Sequence, residues 1–167
     1  SFANNAAAFH APPVESRSWF HTGVYFDEDS SANLSSVFDH RQLEQKLRAE
    51  WYQGDSEAVP FPDHDVDSGE TPHEAYRALR GAVLRTEVYA QDGTVKAEHP
   101  YQVTENRYQV TQLQPKDGNH HAVYFNHQLE SLGYHYERNP ADPRESHALT
   151  LEVDDFGNPL RSLAIGY

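Results

Sequence analysis

The sequence predicts a mainly-β fold: antiparallel hairpins in a meander, with a small inserted helical pair. Three observations carry this. Leu, Ile, Val and Phe make up only 33 of 167 residues, near the lower limit for a self-sufficient core, while ten residues are Tyr. Tyr favours strands and can stand half-buried with its hydroxyl in water, which suits a thin, two-sided sheet. From Ala82 onward, period-2 alternation is broken at regular intervals by turn signals, and no βαβ alternation occurs, so a parallel sheet is not expected.

The elements follow in order. Residues 1–14, closing on Pro12-Pro13, read as an extended lead-in, and 15–167 as one domain. The aromatic run Ser18 to Phe26 suits a short strand, and Asp27 to Ser36 a polar loop. A helical insertion is expected over about 39–81. Asp39 and Gln42 have capping-box spacing, Leu43, Leu47 and Trp51 recur at i, i+4, i+8, and Gly54 stands where a C′ glycine belongs. This predicts a helix over about 39–53. An acidic loop from Asp55 to Glu70 separates it from a second helix over about 72–80. There Thr71 serves as N-cap, Pro72 as the first helical residue and Glu74 as box partner, with Gly81 at the end.

Residues 82–167 form the β-rich part. Leu84, Thr86 and Val88 alternate with Arg85, Glu87 and Tyr89; Asp92-Gly93 signals a hairpin turn, with Val95 beginning the return and Pro100 interrupting it. Tyr101 to Val103, Arg107 to Gln114, Ala122 to Asn126, Glu130 to Glu137 and His147 to Asp154 are further strands. In the last, Leu149, Leu151 and Val153 are expected on one face. Asp117-Gly118-Asn119 and Asp155 to Pro159 are turns, and Leu160 to Ile165 returns.

Charge narrows the function classes. A net charge of -13 repels phosphate backbones and anionic bilayers, so neither nucleic acid nor membrane is an expected partner. Without cysteine there are no disulfides, thiolate nucleophiles or Cys-based metal sites. No apolar stretch reaches the length of a bilayer span, and the N-terminus lacks the regions of a signal peptide. With no Met, even at position 1, the chain is expected to be a piece of a longer polypeptide.

Several short patterns suggest chemistry, and none is complete. Asp63, Asp65, Asp67 and Glu74 fall at positions 1, 3, 5 and 12 of a calcium loop, but Ser68 replaces the turn glycine and Pro62 and Pro72 flank or interrupt it. The better reading is a solvated acidic loop, with no tight divalent site. His73-Glu74 starts like a zinc-protease helix, yet the i+4 position is Arg77. His120, His121, His127 and His135 show no ligand spacing. Asp154-Asp155 would point to opposite faces of a strand, and Asn33-Leu34-Ser35 is a bare glycosylation tripeptide. No nucleophile elbow or phosphate-cradling glycine loop occurs. No catalytic, cofactor-binding or metal residue is assigned, and no cofactor is expected. Two classes remain beside a structural one: a calcium- or carbohydrate-binding β-module, and a hydrolase with a concealed carboxylate or histidine site.

Six stretches together carry a resemblance. They are Arg17-Ser-Trp-Phe-His-Thr-Gly23, Glu74-Ala-Tyr-Arg-Ala-Leu-Arg-Gly81, Leu84-Arg-Thr-Glu-Val-Tyr-Ala-Gln-Asp-Gly-Thr94, His99-Pro-Tyr-Gln-Val103, Tyr134-His-Tyr-Glu-Arg-Asn-Pro-Ala-Asp-Pro-Arg144 and Leu149-Thr-Leu-Glu-Val-Asp-Asp-Phe-Gly-Asn158. In this order they resemble the middle/C-terminal region of the B component of bacterial insecticidal Tc toxin complexes, relatives of the Rhs/YD-repeat proteins. The strand-turn-strand around Asp155-Phe-Gly-Asn158 is similar to a YD repeat. The resemblance implies a segment of a curved β-sheet cocoon that B and C components build around a cytotoxic effector. A propeller elsewhere in B would dock the cocoon on the pore-forming A component. It implies a secreted toxin, with the remainder of B, the C component and the A pore as partners. The family's autoprotease belongs to C, so the resemblance carries no catalytic residue onto this chain.

Overall fold

A computed structural model describes residues 11–25, 46–59 and 63–167. Strands β1 (Val14–Phe20), β2 (Asp65–Val66), β3 (Val83–Ala90), β4 (Gln102–Gln114), β5 (Val123–His135), β6 (Arg144–Val153) and β7 (Pro159–Gly166) form one sheet. Its order is β1-β3-β4-β5-β6-β7, antiparallel throughout. The mainly-β meander read from the sequence is therefore the observed fold. One short pairing is parallel. β2 runs parallel to β4, with Asp65 opposite Gln109 and Val66 opposite Val110. It fills the edge that β4 exposes because β3 pairs only with residues 102–105.

β1 and β3 are neighbours although about sixty residues separate them. That excursion is pinned where it leaves and re-enters the sheet: His21 N–H donates to Ala82 O at 2.8 Å and Gly81 N–H to His21 O at 2.9 Å. Gly81 takes φ +84, a left-handed conformation that glycine adopts without Cβ strain.

Several elements differ from expectation. β1 starts at Val14 and ends at Phe20, earlier than the aromatic run suggested, because its register is set by pairing with Ala90 to Val83. Residues 46–49 are helical; Asp39, Gln42 and Leu43, like Asn33 and Ser35, lie outside the described residues. Gly54 is no left-handed C′ residue: its φ is not positive, and a Cβ there would collide with the Tyr52 ring.

The second helix spans Pro72–Arg77, with Pro72 at its start, but the capping box does not form. Thr71 Oγ1 instead meets the Tyr124 hydroxyl at 2.5 Å. Glu74 turns outward to His121 Nδ1 (2.7 Å) and Ala122 N–H (2.8 Å). Both side chains thus tie the helix to β5 and the loop before it, in place of satisfying its own amides. The Asp92-Gly93 turn is present, but Val95–Glu98 is a 3-10 turn and not a returning strand. Asp92 Oδ1 accepts both Thr94 N–H (3.0 Å) and Thr94 Oγ1–H (2.8 Å), which curls the chain locally.

Tyr101 to Val103 and Arg107 to Gln114 prove to be largely one strand, β4, and Ala122 to Asn126 and Glu130 to Glu137 largely another, β5. A bulge in β6 leaves Leu151 out of register, since Thr150 faces Ser162 and Glu152 faces Arg161. Leu149, Leu151 and Val153 therefore do not share a face, and Leu151 is 53% exposed.

Candidate functional site

Register assigns residues to the two faces of the sheet, because directly opposed residues share a face. One row runs Ser18, Thr86, Thr104, Gly133, Ser146, Gly166 across six strands, and the next on that side Asn106, Ser131, Ala148, Ala164. In these two rows the residues are small or polar, but the same face also carries Val88 and, farther along β4, Tyr108 and the buried Val110. A Cβ at Gly133 would approach Ser146 Oγ to 2.7 Å, so the serine side chain would have to turn away. The opposite face carries Trp19, Arg85, Glu105, Leu132, His147, Ile165 in one row and Arg17, Glu87, Val103, Tyr134, Glu145 in another.

The bulky face holds a buried ionic clasp. The Glu87 side chain is fully buried. Its Oε1 accepts Arg85 Nε–H at 2.7 Å and Tyr52 N–H at 2.8 Å, and its Oε2 accepts the Tyr89 hydroxyl at 2.6 Å. Arg85 also donates to Glu105 Oε1 at 2.6 Å and stacks under the Trp51 ring at 4.9 Å. Burying two carboxylates with one guanidinium is tolerable only because every charged oxygen named has a short donor. Desolvation, followed by the Glu87 hydrogen bond, pushes the Tyr89 hydroxyl pKa well above its ordinary value. In the Leu84 to Tyr89 alternation it is thus the charged and aromatic parity, not the aliphatic one, that is buried.

A strap formed by residues 51–59 closes over this face. Trp51 stands edge-on to Trp19 at 6.5 Å, and the Trp19 indole donates to Glu50 at 3.1 Å. Asp55 accepts the Tyr136 hydroxyl at 2.8 Å, and Tyr134 donates to Val59 O at 3.1 Å. Val103, Tyr134 and Tyr136 form the buried cluster beneath, with Tyr52, Ala58 and Leu132 packed on it. Ala75, Leu79 and Val110 form a second cluster beneath the Pro72–Arg77 helix. The tyrosine hydroxyls expected in water are mostly spent inside the protein, on Glu87, Asp55, Val59 O, Ser68 O and Val83 O. Burial pushes the Tyr134 pKa up to about 12 and that of Tyr136 further.

The residues singled out as metal or catalytic candidates do not converge. Asp65 sits in β2 and accepts Gln109 Nε2–H at 3.2 Å, while Glu74 is held on the far side by His121 and Ala122. Among the described residues no cluster of three or more His, Asp or Glu could hold a metal ion. His73 packs edge-on to Tyr25 at 5.2 Å, and Arg77 faces a surface cleft. His127 stacks on Phe125 with its Nδ1 buried and unpaired, and desolvation lowers its pKa. His135 is paired between Gln102 and Arg144, and His120 lies in the loop before β5. Asp154 accepts the Phe156 and Asn158 amides and the Asn158 side chain at 2.8–2.9 Å, so it closes a turn.

The clasp was not found by sequence reasoning. Its only signal is the Arg-x-Glu-x-Tyr parity of 85, 87 and 89, which equally fits a solvent face. What the geometry offers is a strapped, two-faced sheet whose end strands, β1 and β7, have no further partner strand among the described residues. That is an antiparallel sheet with two open edges, a form that can be extended strand by strand.

Comparison with known proteins agrees. The family described as insecticide toxin TcdB middle/C-terminal region matches residues 74–167, and the chain belongs to that family. It is also similar to solved structures. A TcdB2–TccC3–Cdc42 crystal structure matches all of this chain at 30% identity and a TM-score of 0.75. A TcdB2–TccC3 crystal structure without the hypervariable C-terminal region matches 94% of it at 30% identity and TM-score 0.72. The Photorhabdus luminescens Tc holotoxin pore, mutated in TccC3, matches 95% at 30% identity and TM-score 0.70. This chain spans only 7–8% of the length of those chains. No curated protein matches it.

Proposed function

We propose that the chain is a structural segment of the β-sheet cocoon of a Tc-type toxin, one that encloses and helps deliver a cytotoxic effector and performs no catalysis itself. Membership of the B-component family carries this reading. The proposal extends to secretion as part of that toxin and to three partners: the rest of the B component, the C component that completes the cocoon, and the A-component pore. The sheet geometry supports it. An antiparallel meander can be extended strand by strand at β1 and β7, and its two faces, one strapped by residues 51–59 and the other partly covered by the Pro72–Arg77 helix, suit a wall with two distinct sides. In a larger wall, β7 would pair with the next hairpin, which would cover Leu163 and Leu160, now 45% and 59% exposed.

The test compares the 167-residue chain with a version extended by the next hairpins, at equal concentration, by thermal unfolding and light scattering. The shorter chain is expected to melt lower or to self-associate through β7. A monomer melting as high as the extended chain overturns the proposed edge pairing. The calcium alternative is tested separately by calorimetry. No micromolar binding is expected; such binding, abolished by Asp63→Ala or Asp65→Ala, contradicts the proposal of no tight divalent site.

A further inference from the structure

Two arginines stand apart in this acidic protein. Arg17, Arg85, Arg107, Arg138, Arg144 and Arg161 each lie within ion-pair distance of a carboxylate. Arg77 and Arg80 have no carboxylate partner among the described residues, although acids outnumber Lys and Arg 26 to 13. With His73 they lie at i, i+4 and i+7, on the exposed side of the helix and the turn that follows it. They line an open cleft of about 400 Å³ whose other wall is the loop of Thr22 to Tyr25, and no acid among the described residues lines it.

The cleft is built, not incidental. Gly23 takes φ +77, and a Cβ there would come within 2.7 Å of Arg80 Cβ, so loop and helix turn meet closely only with glycine. Tyr25 packs on Tyr76 at 5.0 Å and on His73 at 5.2 Å, which fixes the far wall. The pinning bonds between His21 and residues 81–82 hold the loop's base.

We infer that this cleft docks a short acidic peptide segment supplied by another polypeptide, its carboxylates held by Arg77 and Arg80. Planar guanidiniums grip carboxylates in bidentate fashion, and the surrounding net charge of -13 repels long polyanions, so one or two carboxylates are favoured over a nucleic-acid backbone. The apolar ring of Tyr25 offers a surface for a neighbouring residue of the segment. The inference does not depend on the cocoon reading.

The experiment titrates the isotope-labelled 167-residue chain with a capped peptide of alternating Glu and Gly, followed by NMR, with the Gln counterpart as control. The expected result is saturable shifts confined to residues 22–25 and 73–80, weakened by salt. Affinity should fall at least tenfold in the Arg77→Gln/Arg80→Gln variant. Thr22→Glu, which places a competing carboxylate at the mouth, should weaken it as well without touching either arginine. Absence of shifts, equal binding of the Gln peptide, or undiminished binding by both variants overturns the inference. So does full displacement by equimolar inorganic phosphate, which marks a free-anion site. Binding that appears only after Asp27→Asn, Glu28→Gln and Asp29→Asn also overturns it, because the occupant is then the chain itself.

Discussion

Glu87 illustrates how a single side chain can govern this sheet. Its carboxylate is out of water and ties together two neighbouring strand residues, Arg85 and Tyr89, and the strap through Tyr52. Removing one member of a buried ion cluster leaves its partners charged or unpaired, which costs about 3–5 kcal/mol. Glu87→Ala is therefore expected to lower unfolding stability by about that much in a urea titration, and Glu87→Gln by clearly less, since the amide still accepts hydrogen bonds. His64 supplies a second prediction. Its Nδ1 accepts Tyr108 N–H at 3.1 Å, and desolvation lowers its pKa, with Arg107 adding to the effect and Asp63 opposing it. The folded protein thus prefers the neutral ring. Its contribution is complete above the unfolded value of about 6.5 and is lost as pH falls through the lowered folded value. Stability should decline from about pH 7 to about pH 5, and His64→Asn, which keeps an acceptor but cannot titrate, should reduce that slope. Urea midpoints at the two pH values decide it.

At the scale of elements, the β6–β7 hairpin shows what a turn demands. Gly157 has φ +83, and a Cβ there would run into the Phe125 ring. Gly157→Ala combines a left-handed backbone penalty with a clash, so a loss above about 1 kcal/mol is expected, read as a lower melting temperature. This turn was legible beforehand because Asp, Gly, Asn and Pro announce it. The joins within β4 and β5 were not. Thr104-Glu105-Asn106 looks like a break, yet Thr104 and Asn106 lie in small polar rows of one face and Glu105 in the clasp on the other, so strand polarity there reflects position in the sheet. The strap escaped for a different reason. Residues 51–59 have no periodicity, and what fixes them, Asp55 on Tyr136 and Val59 on Tyr134, are contacts across 75 or more positions. Helix capping failed as a guide at Thr71 and Glu74 because tertiary partners offered both side chains better bonds.

For the whole molecule, charge sets the remaining expectation. An excess of thirteen acids makes long-range repulsion the dominant surface term, while the clasp lies too deep for ions to screen. Raising ionic strength from about 0.02 M to about 0.3 M shortens the screening length to well below the size of the sheet. The melting temperature should therefore rise with salt; a fall would mean that the surface ion pairs outweigh the repulsion.

The hydrogen-bonded pin between His21 and residues 81–82 makes the excursion between β1 and β3 a cassette. Its two ends meet where an ordinary hairpin would turn, so its length and content are decoupled from strand register. Replaced by a tight turn, it would leave a plain six-strand meander; exchanged for another polypeptide with adjoining ends, it would give the same wall a new attachment. The exchange has two conditions, the first being that β2 and the Pro72–Arg77 helix, which cover β4 at Val110, belong to the cassette and would need a replacement. The cassette also carries the lid over Arg85, Glu87 and Glu105, so any substitute must bring its own cover or be matched by residues that tolerate water at those three positions.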